Sequence, residues 1–551
     1  MIQFIDTLSW IKGRHTIKTG GEFQQSTLFG FVTLQARPSI SFSGVYTQDP
    51  LNRGNTGSPY ADFLLGYSNS TTISNRPRNE SRQNIVQGFV QDDWKVSSRL
   101  TVNLGIRYEL ALPWIEVDNR QSGLILDPGP YYGQLIEASA TAGTGYNRSF
   151  VNTDRNNFAP RVGLAYKLTN KTVVRSAFGT FYGRDENLGI SRRITNNPPF
   201  FVRTVLVGDQ IQPNFILSQG YPAGILDPNS MVNPEVNALP KDSPLPYVLQ
   251  WNFNIQQELP GSFVLQTGYT GSGGRKLYYT NNVNQAYPGT GSVDARRPVQ
   301  GYSNIFVWAP LFKSSYNAFT AQLERRFTGG LAILASYTYS HSIDDGPANN
   351  ETNDPAPQDA RNLRANRGTS SFDITHRFVS SYTWELPFGK GRRFLQGTTW
   401  ASALAGGWQL AGITTLQGGL PFTPVLSYDP SNTGTTGRPN RIADGSLSAS
   451  QRSPNYWFDT TAFTAPANLT FANSGRNFLR GPGQVNFDLG VSRRFQITER
   501  FGLSFRGEAF NLFNTPQFGL PNATIGVANA GVIESVVAPE RQLQLALRLT
   551  F

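Results

Sequence analysis

The chain has 551 residues, a formal net charge of +11 and no cysteine, which excludes a disulfide framework, a zinc–thiolate site and a cysteine nucleophile. Charged residues make up 15% and aromatics 12%, with 54 glycines and 35 prolines, a profile poor in helix formers and rich in strand and turn formers. No apolar run is long enough for a transmembrane helix, but a mean hydropathy of −0.34 does not exclude a membrane barrel, half of whose positions face a wet lumen.

The arginines come as scattered doublets, Arg325-Arg326 and Arg493-Arg494 among them. A nucleic-acid reader would cluster them with aromatics on one face, so no nucleic-acid partner is expected. A solvated lumen, or loops facing anionic lipid head groups, accounts for the same residues. Met1 leads into Ile2-Gln3-Phe4 without the basic start, apolar run and cleavage site of a secretory leader. Either the protein stays inside, or a true amino-terminus precedes Met1.

In chain order, Ile2 to Lys12 and His15 to Gln25 read as a hairpin about Gly13-Arg14. Leu28 to Tyr46 and Tyr60 to Ser74 are weaker strand candidates. Asn84 to Val96 turns at Ser97-Ser98 into Arg99 to Leu110. There Leu100, Val102, Leu104, Ile106, Tyr108 and Leu110 share one face, while Arg99, Thr101, Asn103, Arg107 and Glu109 share the other. The same unit recurs at 157–168 with 172–182, at 247–259 with 262–270, at 316–327 with 331–341, and at 484–497 with 500–512. Residues 372–386 connect through a longer Pro, Gly and Arg segment to 404–416. The chain ends on Leu543, Leu545, Leu547, Leu549 and Phe551 at every second position, with nothing after them to cover an apolar face.

Between hairpins lie long segments rich in Asn, Gly, Pro, Asp and Thr: 111–156, 183–246, 271–315, 342–371, 417–483 and 513–540. Short turns alternate with long loops, the asymmetry of an outer-membrane barrel with short periplasmic turns and long extracellular loops. Strand-borne Tyr108, Tyr166, Trp251, Tyr337, Trp384 and Trp408 suit a head-group girdle. The expected fold is all-β, an antiparallel up-and-down transmembrane β-barrel over residues 1–551. The first and last strands both run toward the periplasm, so an even-numbered barrel would lack an odd number of strands before Met1. The sequence supplies about 17 of the roughly 22 strands of a plugged transporter barrel.

Several stretches resemble the TonB-dependent receptor superfamily, in particular its Oar-like branch: SWIKGRHTIKTGGEF (9–23), VQGFVQDDWKVSSRLTVNLGIRYE (86–109), NFAPRVGLAY (157–166), PYVLQWNFNIQQELP (246–260), FDITHRFVSSYTWELPFG (372–389), GGWQLAGITTLQGGLPFTP (406–424) and GEAFNLFNTPQFG (507–519). The ordered set spans nearly the whole chain. The resemblance implies an outer-membrane barrel filled by an amino-terminal plug, importing scarce ligands with energy relayed by the TonB system. This sequence lacks the plug, a TonB-binding box and the early strands.

The expected site is polar. Arg107, Glu109, Asn252, Gln256, Arg506 and Glu508 are candidate lumen positions on a ligand's route, and the extracellular loops are its point of capture. Leu543, Leu545, Leu547, Leu549 and Phe551 form a candidate outer-membrane insertion signal read by the barrel-assembly machinery. The expected ligand is a peptide, a glycan or a metal chelate, and no cofactor is expected. A passive pore or surface-adhesion barrel is the alternative. Enzyme chemistry is not expected. Asp373 and His376 sit on opposite faces if both lie on a strand, and no HExxH or GxSxG occurs. The loop 341–362 carries Asp344, Asp345, Glu351, Asp354 and Asp359, a cation site by residue type but not by EF-hand spacing, and it is expected to be solvated and mobile.

Overall fold

The computed structural model describes residues 1–31, 36–49, 56–183, 194–208, 213, 215–346, 354–389, 391–396 and 400–551. One antiparallel sheet of seventeen strands dominates it. Two members, Ile115–Glu116 and Gly368–Thr369, are two-residue extensions of neighbouring strands. The other fifteen are long and run in chain order: β1 (Ile2–Lys12), β2 (His15–Phe31), β3 (Arg78–Lys95), β4 (Leu100–Ala111), β5 (Phe158–Lys167), β6 (Thr172–Tyr182), β7 (Tyr247–Leu259), β8 (Phe263–Arg275), β9 (Ser314–Thr328), β10 (Leu331–Asp344), β11 (His376–Glu385), β12 (Trp408–Gln417), β13 (Gln484–Gln496), β14 (Gly502–Phe510) and β15 (Gln542–Thr550). Each pairs with the next, from β1 with β2 through β14 with β15. This is the up-and-down meander that the alternation of short and long connections predicts. Among the described residues β1 pairs only with β2, and β15 only with β14.

Register fixes the two faces of the sheet. Opposite Leu104 on β4 stands Val162 of β5, and opposite Ile106 stands Pro160. These side chains lie on the outer face with half-buried Leu489 of β13 and with Leu545 of β15, and exposure to the surroundings reaches 44% at Leu104, 48% at Val162 and 77% at Leu545. Lipid removes the cost that water would impose on such a face. Among the described residues, every buried apolar side chain apart from Ile85, Ala159 and Ala318 lies outside the fifteen long strands. The apolar core of this protein is in its extracellular connections.

Those connections fold into a cap. One cluster joins Phe422, Leu426, Phe458, Phe463, Leu479 and Ile525. A second joins Leu124, Val236, Ile305 and Val307, and a third Ile125, Phe150, Val151, Ile194 and Leu239. Short sheets within the cap tie distant loops, as where Arg203–Val207 pairs with Ser70–Ser74. The expectation of solvated, mobile loops is therefore corrected for the described part of loop 341–362, which is held by buried arginines.

Two strand expectations are also corrected. Residues 60–65, expected in a strand, belong to helix α1 (Pro59–Leu65). The Ser58 side chain accepts from the Ala61 amide, Pro59 opens the first turn, and Gly66 at φ 73° closes it. Residues 404–405 end a second helix, α2 (Trp400–Ala405), in the one long periplasmic connection.

Candidate functional site: a polar lumen under a folded cap

The face opposite the lipid side carries the polar groups, with apolar Phe89, Leu334 and Ile413 set among them. Arg107 on β4 reaches Glu109 on its own strand at 3.2 Å and Glu22 on β2 at 3.3 Å, and it also donates to Gln87 on β3. Alternation makes this possible: Gln87 stands opposite Glu109, and both point inward. Asn252 and Gln256 lie on the same face of β7. Asn252 accepts from Asn254 at 3.0 Å, and Gln256 accepts from Arg175 of β6 at 2.5 Å. Arg506 and Glu508 on β14 pair at 2.5 Å and border a cavity of about 800 Å³ shared with Gln322, Glu324, Gln409 and Asp488. The six expected lumen positions thus share one face in three separate groups, each with its charges paired or hydrogen-bonded.

The cap carries what sequence reasoning missed. Arg476 is fully buried and pairs with Asp344 at the end of β10 and with Asp354 in the loop beyond it. Its Nε also donates to the Asn366 carbonyl at 2.9 Å. Arg438 donates to the side chain of Asn366, and burial next to Arg476 lowers its pKa to about 10. Burial raises the Asp354 carboxyl above its ordinary range although Arg476 opposes this. Burial likewise pushes the Tyr279 hydroxyl up to about 12. One basic pair thus clamps the connection after β10 to the connection after β12.

Beside this clamp lies a cap cavity of about 1070 Å³, bordered by Arg203, Glu235, Asn237, Tyr279, Asn281 and Phe306. Gln285 at its wall accepts from the Ala360 amide at 2.8 Å and donates to the Gln358 carbonyl at 2.8 Å. Among the described lining residues the one charged couple, Arg203 with Glu235 at 3.6 Å, is balanced. Amides such as Asn237, Asn281 and Asn304 share the lining with aliphatic and proline residues such as Val205, Ile225, Val232 and Pro357, a mixture of hydrogen-bonding groups and apolar surface. No local sequence signal marks these residues; they lie in loops whose Asn, Gln and Thr content reads as solvation.

The acidic loop is spoken for by arginines. Asp344 and Asp354 meet Arg476, Asp345 meets Arg367 at 2.7 Å, and Asp359 meets Arg361 at 3.6 Å. Glu351 lies outside the described residues. Among the described residues no group of three or more His, Cys, Asp or Glu could hold a metal ion. Asp373 precedes β11, is buried, and binds Arg480 at 2.5 Å and the Ser342 amide at 2.6 Å. His376 turns to Tyr337, whose hydroxyl lies 2.9 Å from Nδ1. The two groups serve different partners.

A many-stranded antiparallel sheet with an apolar outer face, a polar inner face, short turns at one rim and a folded cap at the other defines an integral outer-membrane β-barrel. The outer membrane beta barrel domain family matches residues 1–544, and the chain belongs to it. Among solved structures the chain is similar to the outer membrane transporter YddB from Escherichia coli, at 10% identity and a TM-score of 0.50, covering 100% of this chain and 54% of that one. It is similar also to the siderophore receptor PiuA from Acinetobacter baumannii, at 10% identity and a TM-score of 0.46, over 99% of this chain and 55% of that one. The likeness to YddB is one of fold, and the chain spans about half the length of these structures. No curated protein matches it. The protein resides in the outer membrane.

Proposed function

We propose that the protein is the barrel of an outer-membrane receptor that takes up a ligand, with TonB-supplied energy in its full-length form. The observation that carries this reading is the cap: loops with their own apolar cores hold a cavity of about 1070 Å³ above a polar barrel face. A passive pore gains nothing from loops ordered at that expense of conformational entropy. In this reading the cap captures the ligand, a peptide, glycan or metal chelate, and Arg107, Glu109, Asn252, Gln256, Arg506 and Glu508 line its route. An amino-terminal plug and further strands complete the barrel and gate it. The insertion signal at Leu543, Leu545, Leu547, Leu549 and Phe551 hands the chain to the assembly machinery.

The test is ligand accumulation by cells carrying or lacking the full-length gene, on a panel of the three ligand classes, with and without a protonophore. Accumulation of one class that depends on the gene and collapses with the proton gradient supports the reading. Gene-dependent accumulation that ignores the protonophore assigns a passive pore instead. Surface attachment without accumulation assigns an adhesin.

A further inference from the structure

The periplasmic rim carries a charge arrangement that the receptor reading does not use. Three adjacent turns, between β1 and β2, β3 and β4, and β5 and β6, bear Lys12, Arg14, Lys95, Arg99, Lys167 and Lys171, all exposed. Among the described residues none of the six meets a carboxylate within ion-pairing reach. Of the nearby acids, Asp92 binds His15 at 2.6 Å, and Asp93 binds Lys18 at 3.8 Å and Asn103 at 2.5 Å, while Glu258, whose amide donates to the Lys171 carbonyl at 2.8 Å, is exposed and makes no ion pair with it. The cap arginines are the opposite case, each of Arg476, Arg367 and Arg361 being paired with a carboxylate. Unpaired like charges on neighbouring turns repel one another, so an anionic counterpart would stabilise the arrangement.

What lies next to these cations identifies that counterpart. Trp10, Trp94 and Tyr166 sit on the lipid-facing side at the ends of β1, β3 and β5, and all three are exposed. Lys12 holds its ammonium 5.3 Å from the Trp10 ring centre, and the His15 ring stacks on Trp94 at 5.3 Å. Arg14 donates to the Val96 carbonyl at 2.9 Å and so fixes the first turn against the second. Amphipathic rings at a strand end mark the level of the head groups, and cations just beyond them face lipid phosphates. A water-exposed acidic protein would need no such belt of rings.

We propose that this rim, from β1 to β6, is a binding surface for anionic phospholipid of the periplasmic leaflet. The rings lie at the head-group level, the six cations neutralise the phosphates, and the Arg14 bridge holds neighbouring turns in one arc. The surface anchors the edge-strand side of the sheet against the bilayer.

The test uses the chain folded into vesicles of phosphatidylcholine with a minor fraction of phosphatidylglycerol, extracted in neutral detergent and weighed by native mass spectrometry. Preferential retention of phosphatidylglycerol is expected, falling about fivefold for each rim cation removed. The quadruple variant Lys12→Gln, Arg14→Gln, Lys95→Gln, Arg99→Gln should lose most of the preference, while Lys241→Gln with Lys276→Gln in the extracellular loops should keep it. High salt applied to the unaltered protein gives the same loss without any substitution. Equal retention of the two lipids by the unaltered protein, or a preference insensitive both to the quadruple variant and to salt, overturns the proposal. So does binding of an acidic peptide to the rim in place of lipid.

Discussion

Arg476 and Asp354 form an ion pair in which neither side chain reaches water, although 122 residues separate them in the chain. Asp344 shares the same guanidinium. Removing one partner of a buried pair leaves the other uncompensated, at about 3–5 kcal/mol. Arg476→Gln should therefore open the cap while the strands stay paired. Hydrogen exchange should speed up in 354–371 and 417–483 and remain slow in β9 to β13.

The same substitution should make the cap pH-sensitive in a defined direction. Without Arg476, Asp344 and Asp354 face each other in a buried site, and burial already holds the Asp354 carboxyl above its ordinary 3.8. The folded state then binds more protons than the unfolded state between the ordinary and the raised value, so stability falls as pH rises through that window. Once exchange is corrected for the intrinsic pH dependence of amide hydrogens, cap protection in Arg476→Gln should be greater at pH 5 than at pH 8, with a much smaller difference in the unaltered protein. Asp354→Asn, which leaves Arg476 on Asp344, should cost less than Arg476→Gln.

The two faces of β15 make contrasting predictions. Leu547 lies on the lipid side opposite Phe505, whereas Ala546 lies on the lumen side opposite Arg506. Leu547→Arg should cost roughly 2–4 kcal/mol of folding stability in vesicles, and Ala546→Gln less than about 0.5 kcal/mol. Urea titration of the refolded chain measures both.

Phe551 is 93% exposed at the end of β15. The assembly role proposed for it predicts that Phe551→Ala lowers the amount of barrel assembled in cells several-fold and leaves stability in vesicles within about 0.5 kcal/mol. Equal losses in both measurements would make Phe551 a packing residue.

Gln285 is buried and ties the cavity wall to Gln358 and Ala360. Gln285→Leu strands those backbone groups at about 1–3 kcal/mol. The expected result is weakened ligand capture with unchanged barrel stability, read by ligand titration against urea unfolding.

The barrel was legible because its physics is local. Two-residue periodicity at Leu100 to Leu110 and Val485 to Val491 gives strand, face and environment together, and Gly261 or Gly329 marks the turns. The strand count came out near the mark because it counted periodic runs; the two-residue extensions Ile115–Glu116 and Gly368–Thr369 carry no period. The cap was not legible. Phe422, Phe458, Phe463 and Ile525 are single aromatics and aliphatics in aperiodic loops, and only the tertiary fold brings them together. Asp354 read as a solvated loop carboxylate because its partner, Arg476, lies in a different loop. Helix α1 shows a smaller failure of the same kind: Ser58-Pro59 and Gly66 are proper helix ends, but seven residues are too few for a helical period to outweigh aromatic strand formers.

The central claim is that alternate residues meet lipid and water, and β13 tests it most directly. The chain has no cysteine, so single cysteines placed from Val485 to Ser492 can be spin-labelled one at a time in vesicles. Labels at 485, 487, 489 and 491 should collide with oxygen, and labels at 486, 488, 490 and 492 with a water-soluble nickel chelate. A profile without two-residue alternation, or with the chelate reaching both sets equally, would contradict the account.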